Sequence, residues 1–97
     1  MGHQIKQLFQ LGQIVCTVSI QHLIEKEKLS SLDLFTLLSR HAIGDWGDLC
    51  EEDVQANQAA LNEGDRLLSS YTVNKTKIWI ITEADRSVTT VLLPSDY

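Results

Sequence analysis

Cysteine, proline and basic side chains are scarce in this chain of 97 residues. The two cysteines, Cys16 and Cys50, stand in no CxxC pattern. Two thiols are too few for a four-ligand zinc cage or a disulfide framework, so both are expected to be reduced core residues on apolar stripes. With one proline, Pro94, no internal repeat and no low-complexity tract, nothing marks a linker between domains. Lys and Arg number only eight against thirteen Asp and Glu, a net charge of −5 and an isoelectric point near 4.9. A general nucleic-acid binder carries the opposite sign, because neutralised phosphates supply most of its affinity. The sequence also lacks a phosphate-cradling glycine loop, an HExxH pair and a recognisable Ser/His/Asp or Cys/His arrangement. No apolar run sits behind a basic start as in a signal peptide, and none approaches the roughly 20 residues that span a bilayer. Gly2 is followed by Lys6 where myristoylation wants Ser or Thr. The expected location is the cytoplasm, with no membrane contact.

What is present fits one small domain over residues 1–97, with 1–10 expected as a flexible N-terminus. The hydrophobic fraction is 43% and the charged fraction 22%, ordinary for a globular chain. The charge is unevenly spread. From Ala42 to Asp65 there are seven acids (Asp45, Asp48, Glu51, Glu52, Asp53, Glu63 and Asp65) and no Lys or Arg. The rest of the chain is slightly basic.

Periodicity predicts a strand over 13–18, with Ile14, Cys16 and Val18 on one face. Ser19 then caps a short helix carrying Ile20, Leu23 and Ile24. Ser30 and Asp33 have the spacing of a capping box, ahead of a helical stripe of Leu34, Leu37, Leu38 and His41. Gly44 and Gly47 break that helix around Asp45 and Trp46. Asp48, with Glu51 three residues on, signals another helix start, and Glu51, Glu52 and Asp53 suit the positive end of its dipole. Cys50, Val54, Asn57 and Leu61 recur at helical spacing up to Gly64, a C-terminal stop. The period then falls to two. Strands are expected over 67–73, 77–82 and 87–93, joined by Asn74-Lys75 and by the polar turn 83–86. Trp79 is expected in the core. The order β-α-α-α-β-β-β gives an α+β fold, a C-terminal antiparallel three-stranded meander with helices packed on one face.

Three groups could carry function. His41 with Asp45, Asp48 and Asp53, around Trp46, could bind a divalent metal or move protons; equally, His41 suits a helix C-terminus and Asp48 a cap. The polar turn from Thr82 to Ser87, holding Glu83, Asp85 and Arg86 and followed by Thr89 and Thr90, could bind a partner, or Asp85 and Arg86 could simply pair. Trp46 between two glycines could anchor an interface or plug the core.

The segments HAIGDWGDLCEED, NEGDRLLSSY and KIWIITEADRSVTTVLLPSDY resemble a family of small bacterial proteins carried by plasmids, prophages and other mobile elements. The resemblance runs from Leu11 to Tyr97 and rests on DWGDL and WIITEADRS. Residues 19–30 depart from it, without the Pro-Gly start and alanine-rich helix of that family. It implies service to a mobile element and brings no catalytic residues.

Charge and resemblance together lead to the expectation of a non-enzymatic protein-binding module that inhibits a host nucleic-acid-targeting defence complex, of the CRISPR or restriction type, by occlusion or nucleic-acid mimicry. Asp45, Asp48, Glu51, Glu52 and Asp53 would engage Lys and Arg of a basic channel, with Trp46 as apolar anchor and Glu83, Asp85 and Arg86 as a second contact. The partner would be that protein complex, without direct nucleic-acid contact, metal or cofactor. The alternatives are a metal-dependent hydrolase or nucleic-acid-modifying enzyme using His41 with Asp45 and Asp48, or Glu83 with Asp85 and Arg86, and a homodimer built through the meander's edge.

Overall fold

The computed structural model describes residues 6–97. The expectation for the first residues concerns 1–5 as well, which lie outside the described residues. Within 6–10, the Leu8 N–H donates to the Ala42 carbonyl at 2.8 Å and Phe9 packs against Trp46. That part of the N-terminal segment is held by the Leu8 backbone and by the Phe9 side chain, while the Leu8 side chain stays half exposed.

The fold is α+β, in the expected order. Strand β1 (Gln13–Cys16) leads into helices α1 (Val18–Glu25), α2 (Ser31–Ala42) and α3 (Glu51–Glu63), then strands β2 (Leu67–Val73), β3 (Thr76–Thr82) and β4 (Val88–Leu92) and a 3₁₀ turn, Pro94–Asp96. The sheet order is β1-β4-β3-β2, with β1 parallel to β4 and the last three strands an antiparallel meander. The long helical connection thus carries the chain from one edge of the sheet to the other.

Local chemistry explains most boundaries. The β1 strand stops short of Val18 because Thr17, rather than Ser19, caps α1: its Oγ1 accepts from the Ile20 N–H at 3.4 Å. Thr17 and Ser19 both donate to Asp96 at 2.7 Å, which ties the C-terminal turn to α1. The Ser30–Asp33 capping box is present, each side chain 3.0 Å from the other residue's N–H. The cap of α3 is Cys50, without a side-chain bond. Asp48 serves the sheet instead. Its carboxylate accepts from Thr72 Oγ1 at 2.9 Å, and its N–H donates to the Ser70 carbonyl. Gly64 ends α3 in the left-handed region, and Asn74 and Lys75 share that region in the two-residue hairpin.

The helices cover the sheet face that carries Leu67, Tyr71, Ile78, Ile80 and Val91. Ile20, Leu29 and Leu37 join the last four in one buried cluster, and Trp46 and Ala60 join Leu67 in a second. Two expectations need correction. Cys50 is exposed, since it precedes the helix and points off its stripe, while Cys16 is partly buried; both are free thiols. Trp79 sits half-buried on the opposite, helix-free face, edge-on to Tyr97, because that face is odd in β3 and the core face is even.

Both edges of the meander are occupied. β4 carries β1. Beside β2, Gly47 forms a bridge to Ser70, flanked by Ser70 N–H to Trp46 carbonyl at 3.1 Å. Gly47 has φ of 77°, and a Cβ there would run into the Ser70 carbonyl and the Tyr71 ring. Farther along, the Asn57 side chain holds both backbone groups of Leu68, at 2.6 and 3.1 Å. On the outer edge of β2 the backbone groups of Leu68 and Ser70 are thus taken up within the chain.

Candidate functional site

His41 is fully buried. The last turn of α2 aims it into the sheet, where Nδ1 lies 2.5 Å from Ser69 Oγ and Nε2 lies 2.9 Å from Thr82 Oγ1. Thr82 Oγ1 lies 2.7 Å from Thr89 Oγ1, and Thr89 donates to the Leu11 carbonyl at 2.6 Å. A carbonyl can only accept, so the proton order of the chain is fixed from that end. Thr89 gives its proton to Leu11 and accepts from Thr82. Thr82 then accepts from Nε2–H, and Ser69 donates to Nδ1. The imidazole is neutral in this arrangement, and burial lowers its pKa to about 4. Phe9 and Trp46 enclose the ring edge-on, with centroids 5.2 and 5.7 Å away.

The expected trio of His41, Asp45 and Asp48 is thus not brought together. Both nitrogens of His41 are engaged inside. Asp45 lies on the surface in a two-point pair with Arg40, at 2.7 and 3.2 Å. The Arg40 hydrogen bond holds its carboxyl below the usual range. Asp48 faces Thr72. Among the described residues no three His, Cys, Asp or Glu side chains are grouped for a metal ion.

The turn after β3 is equally committed. Asp85 does not pair with Arg86; it accepts from the Ser87 N–H and hydroxyl at 3.0 and 2.6 Å. Arg86 turns inward. Its Nη1 reaches the carbonyls of Asp65, Glu83 and Ala84, and its Nη2 the Ala60 carbonyl at 3.1 Å. α3 has no basic residue in its last turn, so Arg86 brings the cation that its C-terminus favours, while stacking over Phe9. Glu83 shares this turn through its backbone, with its N–H on the Val88 carbonyl at 3.0 Å.

Trp46 is only 4% exposed. It belongs to the core and is withdrawn from the surface as an anchor, because the Gly47 bridge presses its backbone onto β2. What remains outside is carboxylate. Glu51, Glu52 and Asp53 form the exposed first turn of α3, next to Asp45 and Asp48. Glu51 accepts only from Gln55 at 3.3 Å and Asp53 only from the Cys50 thiol at 3.4 Å. The sole ion pair among the described residues is Arg40–Asp45.

Sequence reasoning missed Ser69, placed Thr82 and Thr89 with the polar turn rather than around His41, and read Asn57 only as part of the α3 stripe. Three of these are small polar residues at inward positions of apolar strands, and a helix histidine on an apolar stripe is the signal that called for them. No family model matches the chain, and no curated protein or solved structure matches it. Among the described residues, no helix is long and apolar enough to cross a membrane.

Proposed function

We propose that the protein is a non-enzymatic binding module of a mobile element, which inhibits a host defence complex of the CRISPR or restriction type by occupying its basic nucleic-acid channel. The observation that carries this is the disposition of charge. Glu51, Glu52 and Asp53 are exposed and without a basic partner among the described residues, while His41 and Arg86, the groups best suited to chemistry, are spent on holding the fold. The resemblance of DWGDL and WIITEADRS to mobile-element proteins supports the biological setting.

With Trp46 inside the core, the contact rests on charge, with Asp48 extending the acidic surface beyond α3 while Asp45 is neutralised by Arg40. Exposed charges are screened over about 8 to 10 Å at physiological ionic strength, so binding weakens steeply with salt. The test is capture of host complexes by the wild type and by Glu51→Gln/Glu52→Gln/Asp53→Asn. Neutral replacements avoid placing lysines at the positive end of α3. The reading expects a basic, nucleic-acid-handling complex that elutes with salt and is lost in the variant. Equal capture by both proteins overturns it.

A further inference from the structure

We infer that β1 is the dimerisation edge of this protein, pairing antiparallel with β1 of a second copy across a two-fold axis at Val15. The two sheets then join into one of eight strands.

The edge is open by its hydrogen-bond pattern. β1 lies parallel to β4 with Gln13 opposite Val88 and Val15 opposite Thr90. The Gln13 N–H donates to Ser87 and the Thr17 N–H to Val91. Strand geometry alternates, so residues 13, 15 and 17 face β4, whereas the N–H and C=O of Ile14 and Cys16 face away. No other bond among the described residues takes up those four groups. At the opposite end of the sheet, Asn57 and the Gly47 bridge cover β2.

The open groups are self-complementary. In an antiparallel pair centred on Val15, Ile14 of each copy stands opposite Cys16 of the other. Each such pair exchanges two hydrogen bonds, so all four outward groups on each copy are satisfied. Val15 meets its own counterpart on the helix-free face, where it is 37% exposed.

The uncharged edge lets a second copy of this chain approach without repulsion. Natural edges are guarded by charge or proline, yet from Gln7 to Ile24 there is no Asp, Glu, Lys, Arg or Pro. A chain of net charge −5 can therefore meet its own copy here with no carboxylate opposite another. On the helix side, a groove of about 580 Å³ opens beside the strand, walled by Leu11, Ile14, Phe35, Leu38 and Ile43. Phe35 and Ile14 are exposed there, at 69% and 47%. α3 lies at the far edge of each sheet, so the dimer would present two acidic turns facing outward.

This inference is independent of the function proposed above, because its readout is mass alone. Sedimentation of the full chain at tens of micromolar is expected to give twice the 10.9 kDa of one chain. Val15→Lys and Val15→Glu should each sediment as a folded monomer, since like charges then stand directly opposite. Their equimolar mixture should restore the dimer. That rescue separates the register from a simple failure to fold. A monomeric wild type, or a Val15→Lys protein that still dimerises, overturns the inference.

Discussion

His41 is where a single residue has the largest leverage on stability. Its pKa is about 4 in the fold and about 6.5 in an unfolded chain. Between those values the unfolded state takes up a proton that the folded state refuses, so stability falls as pH drops from about 6.5 to 4. The full loss is roughly 3 kcal/mol. Urea unfolding followed from pH 7 to pH 4 should show this slope, and His41→Gln should flatten it. The carboxyls held low by hydrogen bonds, Asp45, Asp85 and Asp96, follow the same proton logic at lower pH: the unfolded state protonates them first, so their contribution fades as pH falls further, through the carboxylate range. Arg86 gives a second residue-scale expectation. Arg86→Lys keeps the charge but cannot span the carbonyls of Ala60, Asp65, Glu83 and Ala84 at once. It should cost about 1.5 to 3 kcal/mol, measured by chemical denaturation.

At the scale of elements, caps and clamps divide the work. Ser30→Ala removes one arm of the α2 capping box and should cost about 1 kcal/mol. Asn57→Ala should cost more, since it leaves the Leu68 N–H and C=O unpaired beside a helix; about 2 kcal/mol is expected in the same assay. The capping box, the Gly64 stop and the Asn74-Lys75 hairpin were all legible in the sequence because each is decided within four residues. The cap of α1 was misplaced by two residues, since Thr17 and Ser19 are chemically equivalent and only the parallel pairing of β1 with β4 decides where the strand ends. The Asp48 cap was misplaced for a similar reason. The signal was a true hydrogen-bonding carboxylate, but its partner, Thr72, lies 24 positions away.

For the whole molecule, the sequence revealed the α+β class and the concentration of acid, because both follow from patterns summed over many residues. It could not reveal which acids stay uncompensated. That depends on Arg40 reaching Asp45 and, among the described residues, on no basic side chain pairing with the first turn of α3. Nor could it show that Trp46 is interior, because its flanking glycines suit a surface loop as well as a strand-edge bridge. The resulting molecule has His41 and Arg86 turned inward and the carboxylates of the first α3 turn outward, at the end of the sheet opposite the open strand β1.

Competition at the captured complex tests occlusion most directly. The complex is loaded with labelled nucleic acid and titrated with the wild type and with Glu51→Gln/Glu52→Gln/Asp53→Asn. Stoichiometric displacement by the wild type, weakened by salt and lost in the variant, is the predicted result. Simultaneous binding of nucleic acid and protein to the same complex would contradict the account.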